Sequence, residues 1–516
     1  MSYALLKSRV VFLFCFVAFS VPAWAGVKLA SPFTDHMVLQ RELTVPVWGT
    51  ADAGAKITVT FAGQAKTAVA TTGGDWRVEL DPLTGSSESR VLTVVDGSSS
   101  SVALRDVLVG EVWLCSGQSN MDFTVAKTQK YYFAGVTNEA EEVAAANHPR
   151  IRMFTAEWTK SYEQRRSVGG GWKICTPENV REFSAVGYFF ARRLQREIGV
   201  PVGIVTLTYG ASTPQAWIRR EAIAADPRLK PSLEKFDAEV AAFRSNLEVP
   251  KQFAQKQAEW DAAAEEARAK GQKAPRRLRD PDPVQDQHNP TVMFNGMVAP
   301  AVPFAIRGVL WYQGESITAP RELFPIWNET LIKDWRKLWG RELPFYFCQL
   351  AAQDAASNGP EVREMQAQAL TLPGTAMAVT IDIGEKTNVH PRNKQDVGDR
   401  LARIALAKQY GKPSEWSGPV YESMAVDGAS IRLKFSHATG LLARGGQPKT
   451  FEIAGGDGKF VSAEAKIEGE YVVVSSPTVT TPVAARYAWA AYPEGCNLYN
   501  SVDLPAAPFR TDVVKP

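Results

Sequence analysis

One serine of this chain lies in a setting typical of a nucleophile. Ser119 belongs to the sequence Gly-Gln-Ser-Asn-Met at residues 117–121, which follows an apolar run at residues 107–114. That run is typical of a buried strand, and the small residues after it predict a turn. A hydroxyl on a turn at the end of a parallel strand is how α/β folds expose a nucleophile. Ser119 is therefore the candidate nucleophile.

A serine nucleophile needs a base within hydrogen-bond distance and a group that orients the base. Among the five histidines, His390 follows a strand-like run and precedes a predicted helix, which places it at the same sheet edge as Ser119. Two carboxylates are candidates to orient it. Asp382 ends the strand before His390, and Glu315 ends another apolar strand. The spacing does not choose between them.

Acyl transfer also needs hydrogen-bond donors for the oxyanion of the tetrahedral intermediate. The backbone N–H of Ser119 is one candidate. Gly210 ends a third predicted strand and allows the backbone to approach closely, and Gln313 carries a side-chain amide at the end of a fourth. The carboxyl ends of several strands thus supply a nucleophile, a base, an acid and donors together.

From about residue 105, strand-like and helical runs alternate. This order predicts a mainly parallel sheet with helices on both faces, in which ligands bind at the carboxyl ends of the strands. The predicted strands are at residues 203–208, 306–312, 345–350 and 377–381, and the clearest helices are at 184–198 and 394–408.

The pattern divides the chain into four parts. Residues 1–25 combine a basic start, an apolar stretch and an Ala-Trp-Ala site, which predicts a cleaved signal peptide. Residues 26–104 alternate in the manner of a β-sandwich module. Residues 105–415 form the α/β domain, with an exposed helical insertion at about 220–286, and residues 416–516 return to alternation and predict a β-rich portion.

Composition narrows the class of partner and the compartment. The formal charge of +3 over 516 residues is close to balance, and no basic stripe is present, which argues against nucleic acid. After the signal peptide no run is apolar enough for membrane insertion, so we expect a periplasmic or secreted protein. The cysteine spacing matches no metal motif, and we expect neither a metal nor an organic cofactor. The oligomeric state stays open.

The motifs resemble those of the sialate O-acetylesterase family of SGNH hydrolases. The matching segments are residues 109–121, 294–297, 311–315 and 390–391, with tail motifs between residues 498 and 512. The resemblance implies a flavodoxin-like, three-layer α/β/α core that removes O-acetyl groups from carbohydrate, flanked by the N-terminal β module and the C-terminal β-rich portion.

The resemblance also implies individual roles. Ser119 would be the nucleophile, His390 the base, and Gly210 and Gln313 oxyanion donors. The general SGNH pattern has an aspartate three residues before the histidine, but Thr387 stands there and cannot serve. In related acetylxylan esterases the glutamate of the Gln-Gly-Glu motif is the acid that orients the histidine, which implies Glu315 here. Asp382 remains the alternative.

The expected partner is an O-acetylated carbohydrate, either a sialic acid or another acetylated glycan. The alternatives are an acetylesterase of plant cell-wall xylan or xyloglucan and, from a different class, a non-catalytic carbohydrate-binding protein. A decayed enzyme is expected to lack a catalytic side chain, whereas the candidate serine, histidine and glutamate are all present. Further candidate substrate-binding residues are Asn120, Asn295 and Arg392, of which Arg392 would suit a sialate carboxylate.

Overall fold

The computed structural model describes residues 26–97, 100–129, 131–354 and 359–512. The predicted signal peptide at residues 1–25 lies outside the described residues. Within these ranges no helix has both the length and the apolar character needed to cross a membrane. The cysteines of the same ranges are free thiols: Cys115, Cys175, Cys348 and Cys496.

Two small sheets form the N-terminal module. Its strands are β1 (Lys28–Leu29), β2 (Val38–Gln40), β3 (Val45–Thr50), β4 (Lys56–Phe61), β5 (Gln64–Val69), β6 (Asp75–Leu80), β7 (Ser86–Asp96) and β8 (Ser101–Gly117). β3 pairs antiparallel with β1 and β6, and β4 pairs antiparallel with β5 and β7. Every second residue of β4 and β6 is buried, so alternation in the sequence supplies the core between the sheets.

β8 runs from this module into the central sheet without a break. Residues 101–109 pair antiparallel with β7, and residues 111–117 pair with parallel strands of the central sheet. The predicted boundary near residue 104 therefore falls inside one strand. Because one strand belongs to both sheets, the N-terminal module helps to fix the direction in which β8 leads to Ser119.

The middle of the chain alternates helices and strands. The helices are α1 (Ser119–Asp122), α2 (Glu139–Ala144), α3 (Ala185–Ile198), α4 (Arg220–Ala225), α5 (Lys230–Ser245), α6 (Glu248–Ala269), α7 (Phe324–Trp339), α8 (Gly359–Ala367) and α9 (Lys394–Gln409). The strands are β9 (His148–Ala156), β10 (Gly170–Cys175), β11 (Val202–Thr208), β12 (Gly308–Tyr312), β13 (Phe345–Cys348) and β14 (Thr375–Ala378). The predicted strands and helices are thereby confirmed, although β14 forms slightly before the predicted residues 377–381.

The central sheet has the strand order β10-β9-β11-β8-β12-β13-β14. Neighbours from β9 to β14 are parallel, and β10 is antiparallel to β9. The order β11-β8-β12-β13-β14 is flavodoxin-like, and β8 lies where the chain changes from one side of the sheet to the other. Folds of this kind bind ligands beyond the carboxyl ends of the strands at that switch point, which is where Ser119 lies.

Helices cover both faces of the sheet, as the predicted three-layer core requires. Trp113 and Cys115 of β8 pack in a hydrophobic core that includes residues of α3 and α9. The intervening Val112 and Leu114 pack in the opposite core with residues of α7 and the N-terminal module. Both faces of β8 are therefore buried, which explains its nearly continuous apolar sequence.

The helical insertion comprises α4, α5 and α6. α5 packs on the body of the protein through Leu233 and Phe236, which are buried. In α6, by contrast, Ala264 is the one buried residue among those of the helix that the structure describes. The insertion is thus exposed over α6, and its inner wall is α5.

The C-terminal portion is β-rich, as predicted. Its strands are β15 (Val420–Asp427), β16 (Ser430–Ser436), β17 (Leu442–Ala443), β18 (Phe451–Gly455), β19 (Phe460–Ser462), β20 (Glu464–Glu468), β21 (Tyr471–Ser475), β22 (Pro482–Tyr487), β23 (Leu498–Tyr499) and β24 (Phe509–Arg510). Its core includes Val379 and Ile381, which follow β14. The C-terminal portion therefore supports the start of the segment that leads to His390.

A buried carboxylate joins three segments at the start of the parallel part of β8. The Glu111 side chain is fully buried, and it accepts hydrogen bonds from Arg41 Nε at 2.6 Å and from Arg307 Nε at 2.8 Å. Burial alone would raise the pKa of Glu111, but the hydrogen bond and charge of Arg307, together with hydrogen bonds from Arg41 and Gln40, hold it below its usual value. Glu111 is therefore ionised and paired at neutral pH.

We expect Glu111→Ala to lower the free energy of unfolding by about 3–5 kcal/mol, because it leaves two guanidinium groups partly buried without their carboxylate. Urea denaturation followed by tryptophan fluorescence measures the change. Glu42→Ala is the matched control, because Glu42 contacts the same two arginines from an exposed position and should cost under about 1 kcal/mol. Equal losses in the two variants would contradict this account of Glu111.

Candidate active site

The turn that presents Ser119 depends on a glycine. Gly117 ends β8 with φ of +132°, and a Cβ at this position would clash with the carbonyl oxygen of Tyr312 on the neighbouring strand. The Gln118 N–H donates to the same carbonyl oxygen at 3.0 Å, and α1 begins at Ser119. The nucleophile candidate therefore stands on a short strand–turn–helix connection held against β12.

Ser119 and His390 are in direct contact. Nε2 of His390 lies 2.8 Å from Oγ of Ser119, although the residues are 271 positions apart in the chain. The Asn388 side chain fixes the loop by accepting from the His390 N–H at 3.0 Å and donating to the His390 carbonyl at 2.9 Å. The Phe133 ring packs on the imidazole with a centroid distance of 4.5 Å. The pair thus has the geometry for proton transfer from serine to histidine.

The surroundings of His390 favour its neutral form. Burial, and then the positive charge of Lys394, lower the pKa of His390 to about 4. At neutral pH the imidazole is therefore unprotonated, which is the form that a general base requires.

Neither candidate carboxylate hydrogen-bonds His390. Asp382 is held elsewhere by a two-pronged ion pair with Arg400, at 2.7 Å for each contact, and by the Tyr499 hydroxyl at 3.1 Å. The Glu315 carboxylate accepts a hydrogen bond from the side-chain amide of Asn120. Burial raises the pKa of Glu315, although the Asn120 hydrogen bond and the charge of Lys394 oppose this. Across the described residues, the Nδ1 atom of His390 has no hydrogen-bond partner.

Asn120 and Lys394 form a clamp around His390. The Asn120 side-chain amide donates to the carbonyl of Val389 at 3.0 Å as well as to Glu315. Its oxygen accepts from Nζ of Lys394 at 2.6 Å, and the same Nζ donates to the carbonyl of Pro391 at 2.7 Å. Asn120 and Lys394 together therefore hold one carbonyl on each side of the histidine.

Lys394 is a functional residue that the sequence analysis missed. Its side chain is fully buried over the rings of Phe123 and Tyr312, and burial lowers its pKa to about 7, although Glu315 opposes this shift. A signal was present in the sequence. Lys394 precedes Val397 and Leu401 by three and seven positions, which puts a lysine on the apolar face of α9.

Two backbone N–H groups are placed to serve an oxyanion. Gly210 is close to the nucleophile, because a Cβ there would lie 3.9 Å from the Cβ of Ser119. Among the described residues, the N–H groups of Ser119 and Gly210 have no protein acceptor. Both are therefore unoccupied donors close to the nucleophile, and their role as oxyanion donors stays a prediction.

The side-chain amide of Gln313 is predicted to be an oxyanion donor, but in the structure it hydrogen-bonds other groups of the protein. Its amide nitrogen donates to the carbonyl of Ser316 at 2.6 Å and lies 3.3 Å from both the Ser212 carbonyl and Oε1 of Gln118. The amide is therefore committed to protein acceptors and ties the ends of β8, β11 and β12 together. In this geometry Gln313 supports the site by holding these strand ends together.

Two of the remaining candidates for substrate binding have structural contacts. Asn295 is buried and donates to the carbonyls of Ser161 and Tyr162, so it joins a loop to the segment before β12. Arg392 is exposed but uses its guanidinium to donate to the carbonyls of Gly135 and Val136. The structure thus brings Ser119, His390, Gly210, Asn120 and Glu315 together, and places Asp382, Asn295 and Arg392 outside this group.

A flavodoxin-like sheet with serine and histidine in contact at its switch point is the arrangement of SGNH-type hydrolases. Comparison with known proteins narrows this class. Residues 286–407 match the family model described as carbohydrate esterase, sialic acid-specific acetylesterase.

Similar proteins extend the match over almost the whole chain. The sialate O-acetylesterase of Rattus norvegicus is 28% identical over 95% of this chain and 95% of its own, and that of Homo sapiens is 28% identical over 94% and 93%. The crystal structure of a carbohydrate acetylesterase from Xanthomonas citri is 34% identical, covers 95% of this chain and 100% of its own, and superposes with a TM-score of 0.78.

This chain belongs to the sialate O-acetylesterase family of carbohydrate esterases. It is an esterase that acts on carbohydrate O-acetyl groups, as the resemblance in the sequence implies.

Lys394→Met should move the acid limb of the kcat/KM profile for 4-nitrophenyl acetate to higher pH. Lys394 is protonated at the low pH where His390 titrates, so removing its charge lets the pKa of His390 rise from about 4 towards its usual value. Lys394→Arg keeps the charge and should keep the limb near its original pH. An unchanged limb in Lys394→Met would contradict the electrostatic role.

Proposed function

We propose that the protein removes O-acetyl groups from glycans by a serine mechanism with an acetyl-enzyme intermediate. The observation that carries the proposal is the 2.8 Å contact between Ser119 Oγ and His390 Nε2 at the switch point of the sheet. Family membership supports the acetyl ester as the bond that is broken.

In the first half of the reaction, neutral His390 takes the proton of Ser119 as Oγ attacks the acetyl carbonyl carbon. The carbonyl oxygen becomes an oxyanion, which the N–H groups of Ser119 and Gly210 stabilise. Loss of one such donor costs about 3 kcal/mol in the transition state. When the intermediate collapses, the C–O bond to the sugar breaks, the sugar oxygen takes the proton from His390, and Ser119 is left acetylated.

In the second half, His390 takes a proton from water as the water oxygen attacks the acetyl-enzyme. The second tetrahedral intermediate uses the same donors. Its collapse breaks the bond to Oγ, returns the proton to Ser119 and releases acetate. The same two side chains thus complete both half-reactions.

The histidine is held in place without a carboxylate on its ring. Asn120 binds the carbonyl of the residue before His390, Lys394 binds the carbonyl of the residue after it, and Asn120 is in turn fixed by Glu315. We assign Glu315, Asn120 and Lys394 as positioning residues. Glu315 thereby acts on the histidine through Asn120. Asp382 instead anchors the segment that precedes the histidine loop, by its ion pair with Arg400.

Two substrate classes fit the family. The names of the mammalian relatives point to O-acetylated sialic acid, and the name of the Xanthomonas citri relative points to acetylated carbohydrate in general. Acetylated xylan or xyloglucan is the alternative within the second class. A non-catalytic carbohydrate-binding protein is disfavoured, because a binding protein has no use for a serine and a histidine in hydrogen-bond contact.

Ser119→Ala should reduce acetate release from acetylated glycans by at least ~10³-fold, because no other hydroxyl replaces the nucleophile. Ser245→Ala, on the exposed face of α5, is the control and should match the unmodified enzyme. Acetate is measured after incubation with acetylated sialosides, xylan, xyloglucan and simple acetylated sugars. Undiminished release by Ser119→Ala would disprove the mechanism.

We also propose that the protein is exported to the periplasm or beyond it, on the strength of the leader-like composition of residues 1–25. Protein recovered from the periplasm or the medium of the native host should begin at Gly26 by intact-mass analysis. Protein that keeps residues 1–25 and stays in the cytosol would contradict export.

A further inference from the structure

A cavity of about 900 Å³ opens between the helical insertion and the loop that follows β12. Its outer wall includes Ser232 and Lys235 of α5, and its inner wall is the segment from Glu315 to Pro320. The volume is at the upper end of the range for ligand pockets and exceeds what an acetyl group needs. The cavity therefore has room for the carbohydrate that carries the ester.

The inner wall of the cavity touches both neighbours of the nucleophile. Glu315 accepts the hydrogen bond from Asn120, and the Ser316 N–H donates to Oε1 of Gln118 at 3.3 Å. Asn120 and Gln118 flank Ser119 in the chain. Two residues of the cavity wall are thus hydrogen-bonded to the residues on either side of the nucleophile.

The cavity presents a fixed histidine that the mechanism does not use. Nδ1 of His288 is 2.6 Å from Oδ1 of Asp286, and the His288 carbonyl accepts from the buried Gln215 amide at 3.2 Å. With Nδ1–H donated to the aspartate, Nε2 is the acceptor of the neutral ring. In the described chain Nε2 has no hydrogen-bond partner, and the side chain is 38% exposed. This is the geometry that accepts a hydrogen bond from a sugar hydroxyl.

The charges that line the cavity are balanced. A site for a sialic acid carboxylate is expected to offer a cation that is not already neutralised. Each basic side chain of the lining is instead paired with a carboxylate. The pairs are Arg228 with Asp226, Lys235 with Glu239, and Arg279 with Asp286. This balance favours uncharged sugar residues.

We propose that the cavity is a subsite for uncharged sugar residues of the acetylated glycan, with His288 as a specificity-determining residue and α5 as its outer wall. This inference rests on the proposed deacetylase function and names the substrate class at that site. It gives the helical insertion a role in selecting the polysaccharide.

Steady-state kinetics with two esters test the subsite. His288→Ala should raise KM for an acetylated xylo-oligosaccharide about tenfold, as expected for one hydrogen bond to a sugar hydroxyl, with kcat little changed. Turnover of 4-nitrophenyl acetate, which has no sugar, should stay at the level of the unmodified enzyme and reports that the variant is folded. Ser232→Trp, which adds an indole to the α5 wall, should raise KM for the oligosaccharide in the same way.

His36→Ala is the matched control. His36 also binds an aspartate through Nδ1, at 2.8 Å, with a side chain that is 43% exposed, but it lies in the N-terminal module. Its kinetics on both esters should be unchanged.

An unchanged oligosaccharide KM in both cavity variants would overturn the proposal. An equal loss on 4-nitrophenyl acetate in both variants, or a KM increase confined to an O-acetylated sialoside, would overturn it too. Failure of the proposed function is distinguishable, because the unmodified enzyme would then release no acetate from any carbohydrate.

Discussion

The hydrogen bond between Lys394 and Asn120 connects the two halves of the active site. Asn120 follows the nucleophile at the end of β8, and Lys394 begins the helix after the histidine loop. Through this contact and the carbonyls of Val389 and Pro391, the position of His390 is set relative to Ser119. Burying an ammonium group costs free energy unless the group is well hydrogen-bonded. Here the hydrogen bonds of the ammonium also hold the reacting serine and histidine in position.

The same lysine also contributes to the protonation state of the site. Burial of the ring, and then the charge of Lys394, lower the pKa of His390, while Glu315, on the far side of Asn120, favours the charged form of the lysine. A carboxylate on the imidazole would instead raise the affinity of the ring for a proton. The arrangement thus keeps the imidazole unprotonated at neutral pH and, once it has taken the serine proton, makes it a stronger acid towards the leaving oxygen.

Much of this fold is readable from the sequence, because its elements have strong local patterns. α3 and α9 show helical periodicity, and the parallel strands are short apolar runs. Ser119 and His390 were also predictable, because both follow such runs and the carboxyl ends of parallel strands meet at one edge. The double role of β8 was harder to predict, because no change of composition marks where this strand passes from the N-terminal module into the central sheet.

The supporting contacts of the site depend on tertiary structure and were not predictable from spacing. Glu315 and Asp382 both lie at the ends of segments near the sheet edge. In the folded protein, however, Arg400 on α9 binds Asp382, and Asn120 binds Glu315. Gln313 had the right chemistry for an oxyanion donor, but the carbonyl of Ser316 takes its amide. Only the packed loops determine which partner each polar group finds.

The central claim is that the acetyl group passes through Ser119, and trapping it there is the most direct measurement. The enzyme is mixed with an acetylated sugar, quenched in acid within the first turnovers and digested for peptide mass spectrometry. The account predicts an acetyl group on Ser119 in the peptide that contains residues 117–121. Acetate release in the first turnovers without any acetylated Ser119, or acetylation of a different residue that turns over at the catalytic rate, would contradict it.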